Sequence, residues 1–150
     1  MKKQFLLFFA LVSSVVAMAQ DHKKGGWDIS VGPSIYAPIA KNVDWDSKSW
    51  GQKVNFSKKN LNFSLGYMQN KSGHAQIPVL LGVRKNLKGK LFVGLDAGLT
   101  FFNGHKGQFT YNPSIGYKLN KRWSLEQSIL RMVNDGKHSS QVGLSACFNL

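Results

Sequence analysis

Apolar and polar side chains alternate residue by residue along most of this chain. That period of two places one set of side chains on each face of an extended strand. Residues 90–102 show it most clearly. Leu91, Val93, Leu95, Ala97, Leu99 and Phe101 share one face; Phe92, Gly94, Asp96, Gly98, Thr100 and Phe102 share the other. Residues 75–85 and 108–119 repeat the pattern, with Ile77, Val79, Leu81 and Val83 in the first and Phe109, Tyr111, Ile115 and Tyr117 in the second. Leu61, Phe63, Leu65 and Tyr67 oppose Asn62, Ser64, Gly66 and Met68, and Trp27, Ile29, Val31 and Ile35 oppose Asp28, Ser30, Gly32 and Ser34. The last strand sets Val142, Leu144, Ala146 and Phe148 against Gln141, Gly143, Ser145 and Cys147. Residues 122–133 are less regular, because Gln127 and Arg131 share a face with Trp123, Leu125, Ile129 and Val133. The faintest strand is 47–56, carried by Trp50, Val54 and Phe56 alone.

The connections fall into two groups. Residues 57–60, 84–90 and 118–122 read as tight polar hairpin turns. Residues 37–46, 70–74, 103–106 and 134–138 read as the loops of the opposite side. Counted back from the last strand, the path closes as an all-β, eight-stranded antiparallel up-and-down barrel. Both chain ends then lie with the tight turns, which is the periplasmic side of an outer-membrane barrel.

The composition of the faces separates a membrane barrel from a soluble one. A soluble barrel turns Lys and Glu toward water. Here the polar face is built mainly from Gly, Ser, Asn, Thr and Gln, which suit the narrow interior of eight strands. The apolar face runs nearly uncharged for about ten residues per strand, enough for a tilted strand to cross a bilayer. Closed ladders satisfy every backbone group on the way. Trp27, Phe56, Tyr117, Trp123 and Phe148 fall near the tight-turn ends, and Trp50, Tyr67, Phe101 and Phe109 near the loop ends. Two such collars are expected at headgroup level.

The start of the chain adds a compartment. Lys2 and Lys3 precede an apolar run from Phe5 to Met18, then the small-residue pattern Ala17-Met18-Ala19. This is the layout of a secretory signal peptide over residues 1–19, cleaved between Ala19 and Gln20. It leaves one domain over 20–150. Cys147 is the single cysteine, so no disulfide within the chain can staple the fold. The formal charge is +13, or +11 without Lys2 and Lys3. Such a balance raises the question of nucleic acid, but the chain carries no recognition motif and its leader directs it away from the cytoplasm. A basic surface at an anionic membrane is the simpler account. The basic residues cluster on the tight-turn side: Lys58, Lys59, Arg84, Lys85, Lys88, Lys90, Lys118, Lys121 and Arg122.

The stretches Ile77 to Arg84, Leu91 to Phe102 and the closing Ala146-Cys147-Phe148-Asn149-Leu150 resemble the small outer-membrane barrel proteins, the OmpX-like and OmpA-transmembrane-like porin-family group. The resemblance spans residues 20–150. It implies a bacterial outer-membrane location, contact with outer-membrane lipids and lipopolysaccharide, insertion by the barrel-insertion machinery, and a monomer. Members of the group usually end in an aromatic residue, whereas this chain ends in Leu150 with Phe148 two places before. What the group implies is fold and location rather than one activity.

Candidate chemistry is sparse. The charges expected inside are Arg84, Asp96, Glu126, Lys118, Arg122 and Asp28. Asp96 and Glu126 could form an acid–base pair, but charges removed from water demand partners. An internal ion-pair network is therefore the expected reading, with Arg84 reaching one or both carboxylates. The lipid A deacylases share this size and architecture, and carry a His-x-Ser-Asn-x-Gly-like element on a late strand. The nearest stretch here is Arg131-Met132-Val133-Asn134-Asp135-Gly136, with Arg131 and Val133 at the His and Ser positions. That leaves no activated nucleophile; His138-Ser139-Ser140 follows but is expected in a loop and off register. His22, His74, His105 and His138 lack metal-ligand spacing, and no cofactor site is expected. The expectation is a non-enzymatic outer-membrane barrel with a structural or surface-interaction role. A small-solute pore and a deacylase-like enzyme stand as alternatives.

Overall fold

The computed structural model describes residues 26–39, 48–102, 107–134 and 137–150. The expected leader and its Ala19/Gln20 junction lie outside them. Eight strands follow in order: β1 (Asp28–Pro38), β2 (Ser49–Lys58), β3 (Leu61–Asn70), β4 (Ala75–Asn86), β5 (Leu91–Phe102), β6 (Gln108–Lys118), β7 (Trp123–Asn134) and β8 (Lys137–Asn149). Each pairs antiparallel with its neighbours in sequence, and β8 returns to β1, so the sheet is a closed barrel. Among the described residues there is no helix.

The expected elements are all present, with shifted limits. The faint second strand runs over Ser49–Lys58 rather than 47–56. Its ladder with β3 carries it past Phe56, from Ser49↔Asn70 down to Lys58↔Leu61. Only Lys59 and Asn60 remain as the loop, with Lys59 at φ 54°. Positive φ in a two-residue loop matches the twist of its hairpin. His138, Ser139 and Ser140 belong to β8 and not to a loop. Asn120 fixes the β6–β7 turn by accepting backbone N–H bonds from Arg122 and Trp123 at 2.8 Å each.

The two faces of the sheet meet opposite surroundings. Leu81, Leu95, Ile115 and Leu144 point outward and are about half exposed. Asn55, Asn62, Thr100 and Thr110 point inward and are fully buried. A sheet that exposes its aliphatic side chains and buries its amides and hydroxyls is folded for an apolar solvent. Trp123 and Phe148 sit opposite each other on β7 and β8, ring centroids 5.1 Å apart and edge to face. Phe56 and Phe63 also sit opposite each other, across β2 and β3, with ring centroids 6.0 Å apart and the rings tilted by 42°. Both pairs stand at the tight-turn end, and Trp50, Phe101 and Phe109 stand exposed toward the other. Gln127 interrupts the belt between Ile115 and Leu144, and nothing in the structure explains it.

Inside, register sets size against size. All eight strand glycines face a larger inward side chain across a ladder. Tyr36 lies opposite Gly143, and Phe92 opposite Gly116. A methyl group on Gly116 would come within 2.1 Å of the Phe92 ring, and one on Gly143 within 2.3 Å of the Tyr36 ring.

Three prolines interrupt the ladders, because proline has no N–H to donate. Bridging lapses beside Pro33 between β1 and β8, beside Pro78 between β3 and β4, and beside Pro113 between β6 and β7. The β4–β5 ladder is unbroken from Gln76↔Phe102 to Asn86↔Phe92.

Two outcomes follow from this architecture. Amide hydrogens bordering the three proline lapses will exchange with solvent deuterium faster than those of the β4–β5 ladder; uniform protection across all eight ladders would contradict the lapses. Leu95→Lys places an ammonium in the apolar belt and will weaken insertion into lipid vesicles by about 2–4 kcal/mol, the range for a cation near mid-bilayer.

Candidate functional site

The chemistry of the interior gathers around one carboxylate. Alternation on β7 turns Ser124, Glu126, Ser128, Leu130 and Met132 inward. Glu126 receives two cations. Lys53 Nζ from β2 donates to Oε1 at 2.5 Å, and Arg84 Nη2 from β4 donates to Oε2 at 2.7 Å. The side chains of Lys53 and Glu126 are 4% and 1% exposed, and that of Arg84 16%. Taking these charges out of water is costly, so the pairing has to be geometrically close. Glycine makes the space: Glu126 is registered against Gly116, Arg84 against Gly94, and Lys53 against Gly32 on one side and Gly66 on the other. The Arg84 guanidinium also stacks over Phe92, 4.6 Å from the ring centroid.

Asp96 occupies a separate niche. It lies opposite Gly82 on β4, and its Oδ1 accepts a hydrogen bond from Asn62 Nδ2 at 3.0 Å. Asn62 in turn accepts from Ser57 Oγ at 2.9 Å. Arg84 is spent on Glu126 and does not bridge the two carboxylates. The two carboxylates are thus held by different partners, Glu126 by Lys53 and Arg84 and Asp96 by Asn62.

The other three charges expected inside are not there. Asp28, Lys118 and Arg122 are exposed at the tight-turn rim. Asp28 and Lys118 sit at strand ends where an inward direction no longer means an enclosed position, and Arg122 lies in the turn itself. The cation that sequence reasoning missed is Lys53. The signal was present: with Trp50 and Phe56 outward, residues 49, 51, 53 and 55 must point in.

Toward the loop end the interior turns apolar. Tyr36, Met68, Leu80, Leu130 and Met132 pack into one buried cluster, with Phe102 against it. Gln141 Nε2 donates to Gln76 Oε1 at 3.4 Å, and Thr110 donates to Thr100 at 2.8 Å. Between the ion-pair layer and the apolar layer, the space bordered by Ser34, Lys53, Ser64 and Asn112 has room for about one water molecule. Interior charge and interior hydrocarbon thus lie in series along the axis.

Other candidate chemistry stays dispersed. Among the described residues no three His, Cys, Asp or Glu side chains are placed to hold a metal ion. His74 and His138 are exposed, and His22 and His105 lie outside the described residues. On the stretch compared with the deacylase element, Ser140 Oγ accepts a bond from Arg131 Nε at 3.2 Å, and Arg131 stacks over Tyr111 at 5.7 Å. Asp135 and Gly136 of that stretch lie outside the described residues.

No protein-family model matches the chain, and no curated protein does. Solved structures do match. The N-terminal β-barrel domain of Pseudomonas aeruginosa OprF superposes with a TM-score of 0.64 at 14% identity, over 82% of this chain and 97% of that one. Ail, the attachment invasion locus protein of Yersinia pestis, gives 0.61 at 12%, over 83% and 99%. A de novo designed transmembrane β-barrel gives 0.64 at 15%, over 83% and 96%. The fold is that of the small eight-stranded outer-membrane barrels. At such identities the likeness carries architecture and not activity, and the designed barrel shows that the architecture needs no ancestral function behind it.

The two carboxylates of this barrel are not equivalent, and their variants will separate. Glu126→Gln strands two buried cations and will lower stability by about 3–5 kcal/mol. Asp96→Asn keeps its bond from Asn62 and will cost about 1 kcal/mol. Urea unfolding of the vesicle-inserted protein measures both, and equal midpoints would remove Glu126 from the centre of the network.

Proposed function

We propose that this chain is an integral protein of the bacterial outer membrane, a monomeric barrel with a sealed interior and no enzymatic activity. Its role is to strengthen the membrane or to make contacts through the loops of its open-loop side. The observation that carries this reading is the pair of interior layers. Glu126 with Lys53 and Arg84 fills one part of the axis, and the cluster around Leu80 and Leu130 fills the next. Eight strands leave an interior that side chains can just fill, and here they do. A solute path would have to break an ion pair and displace packed hydrocarbon.

The outer face supports the location. An apolar belt between aromatic collars fits a bilayer rather than water. Outer-membrane lipids and lipopolysaccharide are the partners such a belt meets, and the barrel-insertion machinery is the route by which it reaches them. Unlike the family expectation, the last strand presents Phe148 outward, paired with Trp123, as its aromatic end.

The test has two arms. Purified protein, folded in detergent and shown by a shifted unboiled gel band to be a barrel, is added to planar bilayers. It will give no steady single-channel steps; reproducible steps would convert the reading to a pore. Incubated with lipopolysaccharide, it will release no fatty acid above background; release would convert it to an enzyme.

A further inference from the structure

The charged surface of this barrel is lopsided. Eight exposed Lys and Arg side chains ring the tight-turn end, and Asp28 is the one acidic side chain there among the described residues. Two of these cations stand near rings of the aromatic collar, and a third lies on the same outward wall. Lys58 Nζ lies 5.5 Å from the centre of the Trp27 ring, and Lys90 Nζ lies 6.0 Å from that of Tyr117. Lys85 continues the outward face of β4, two residues beyond Val83. Trp27 and Tyr117 are themselves nearly half exposed, on the wall that meets lipid.

This placement selects a ligand by depth. An aromatic ring at the membrane boundary sits at headgroup level. An ammonium held over the rim of such a ring stands where lipid phosphates lie, and a cation there is attracted to anionic headgroups. We propose that Lys58, Lys85 and Lys90 form, with Trp27 and Tyr117, a collar that binds anionic phospholipid headgroups in the leaflet on the tight-turn side. A soluble acidic polymer would meet the turn tips, at Lys88 and Lys121. It has no reason to reach cations lying along the lipid-facing wall. The proposal rests on the reading of the chain as a membrane-inserted barrel, and the gel shift of the unboiled protein tests that reading separately.

The experiment compares nanodiscs of phosphatidylcholine alone with nanodiscs of phosphatidylcholine and phosphatidylglycerol in equal parts. Lipids retained by the folded protein are counted by native mass spectrometry. The unaltered protein will retain phosphatidylglycerol above its bulk share. The variant Lys58→Gln/Lys85→Gln/Lys90→Gln will lose that preference by roughly fivefold for each cation removed. A second variant, Lys48→Gln/Lys71→Gln/Arg131→Gln, removes equal charge from the opposite end and will keep the preference. Equal loss in both variants would mean that net charge alone is at work, and would overturn the collar. So would the absence of any preference in the unaltered, gel-shifted protein. Binding of soluble polyphosphate that the collar variant abolishes, with no lipid preference, would overturn it too and assign the cations to a polymer.

Discussion

Closing eight antiparallel strands into a ring fixes the width of the interior before any side chain is chosen. The rest of this structure is an answer to that narrowness. Each inward position must share a thin cylinder with positions on the adjoining strands, so bulk on one strand requires its absence on the next. Register supplies this. Phe92, Tyr36, Arg84, Asp96, Glu126 and Lys53 each face glycine across a ladder. Inward glycines in this barrel are the complement of the large residues, and neither set could be placed without the other.

Narrowness also decides how charge is kept inside. A wide barrel could leave Lys53 and Arg84 in water. Here one carboxylate accepts both, through different oxygens, from strands on either side of β3. The arrangement holds β2, β4 and β7 to a common point that backbone pairing alone does not join. On the outside the same strands face the opposite solvent. There most of the charge lies at the tight-turn end, where the ammonium groups of Lys58 and Lys90 stand near collar rings, while Gln127 and Arg131 on β7 interrupt the apolar wall.

Alternation made the strands and the direction of nearly every side chain legible in the sequence. Direction is not depth. Asp28 and Lys118 have the inward phase of their strands, yet lie at the ends, where no wall stands opposite, so the phase that correctly placed Asp96 and Glu126 misplaced them. Lys53 failed for the reverse reason. Its strand carries few outward apolar residues, and a faint outer face hides the phase of the inner one. The apolar layer of Leu80, Leu130 and Met132 was obscured because all three occupy the face whose other members are small and polar. Its existence depends on contacts between strands distant in sequence, which no single strand's pattern reports.

The prolines show how the closed ladder tolerates defects. In a bilayer an unpaired backbone group costs several kcal/mol, so proline inside a spanning strand would be expected to weaken the barrel. Each residue of an antiparallel strand directs its N–H toward only one neighbour, and the lapses follow that rule. Pro78 breaks bridging with β3 but keeps Thr100 as its partner on β5, and Pro113 breaks bridging with β7 but keeps Leu95. The three damaged seams are β1–β8, β3–β4 and β6–β7, and no strand belongs to two of them. Every strand therefore keeps at least one ladder free of a proline lapse, and β2 and β5 keep both. Had Pro113 stood one residue along the chain, its missing donor would have faced β5. The damaged seam would then be β5–β6, which still shares no strand with the other two, and β2 and β7 would be the strands that keep both ladders. What the ring requires of its prolines is therefore that their lapses fall on seams with no strand in common, a condition set by neighbouring strands together and not by any one of them.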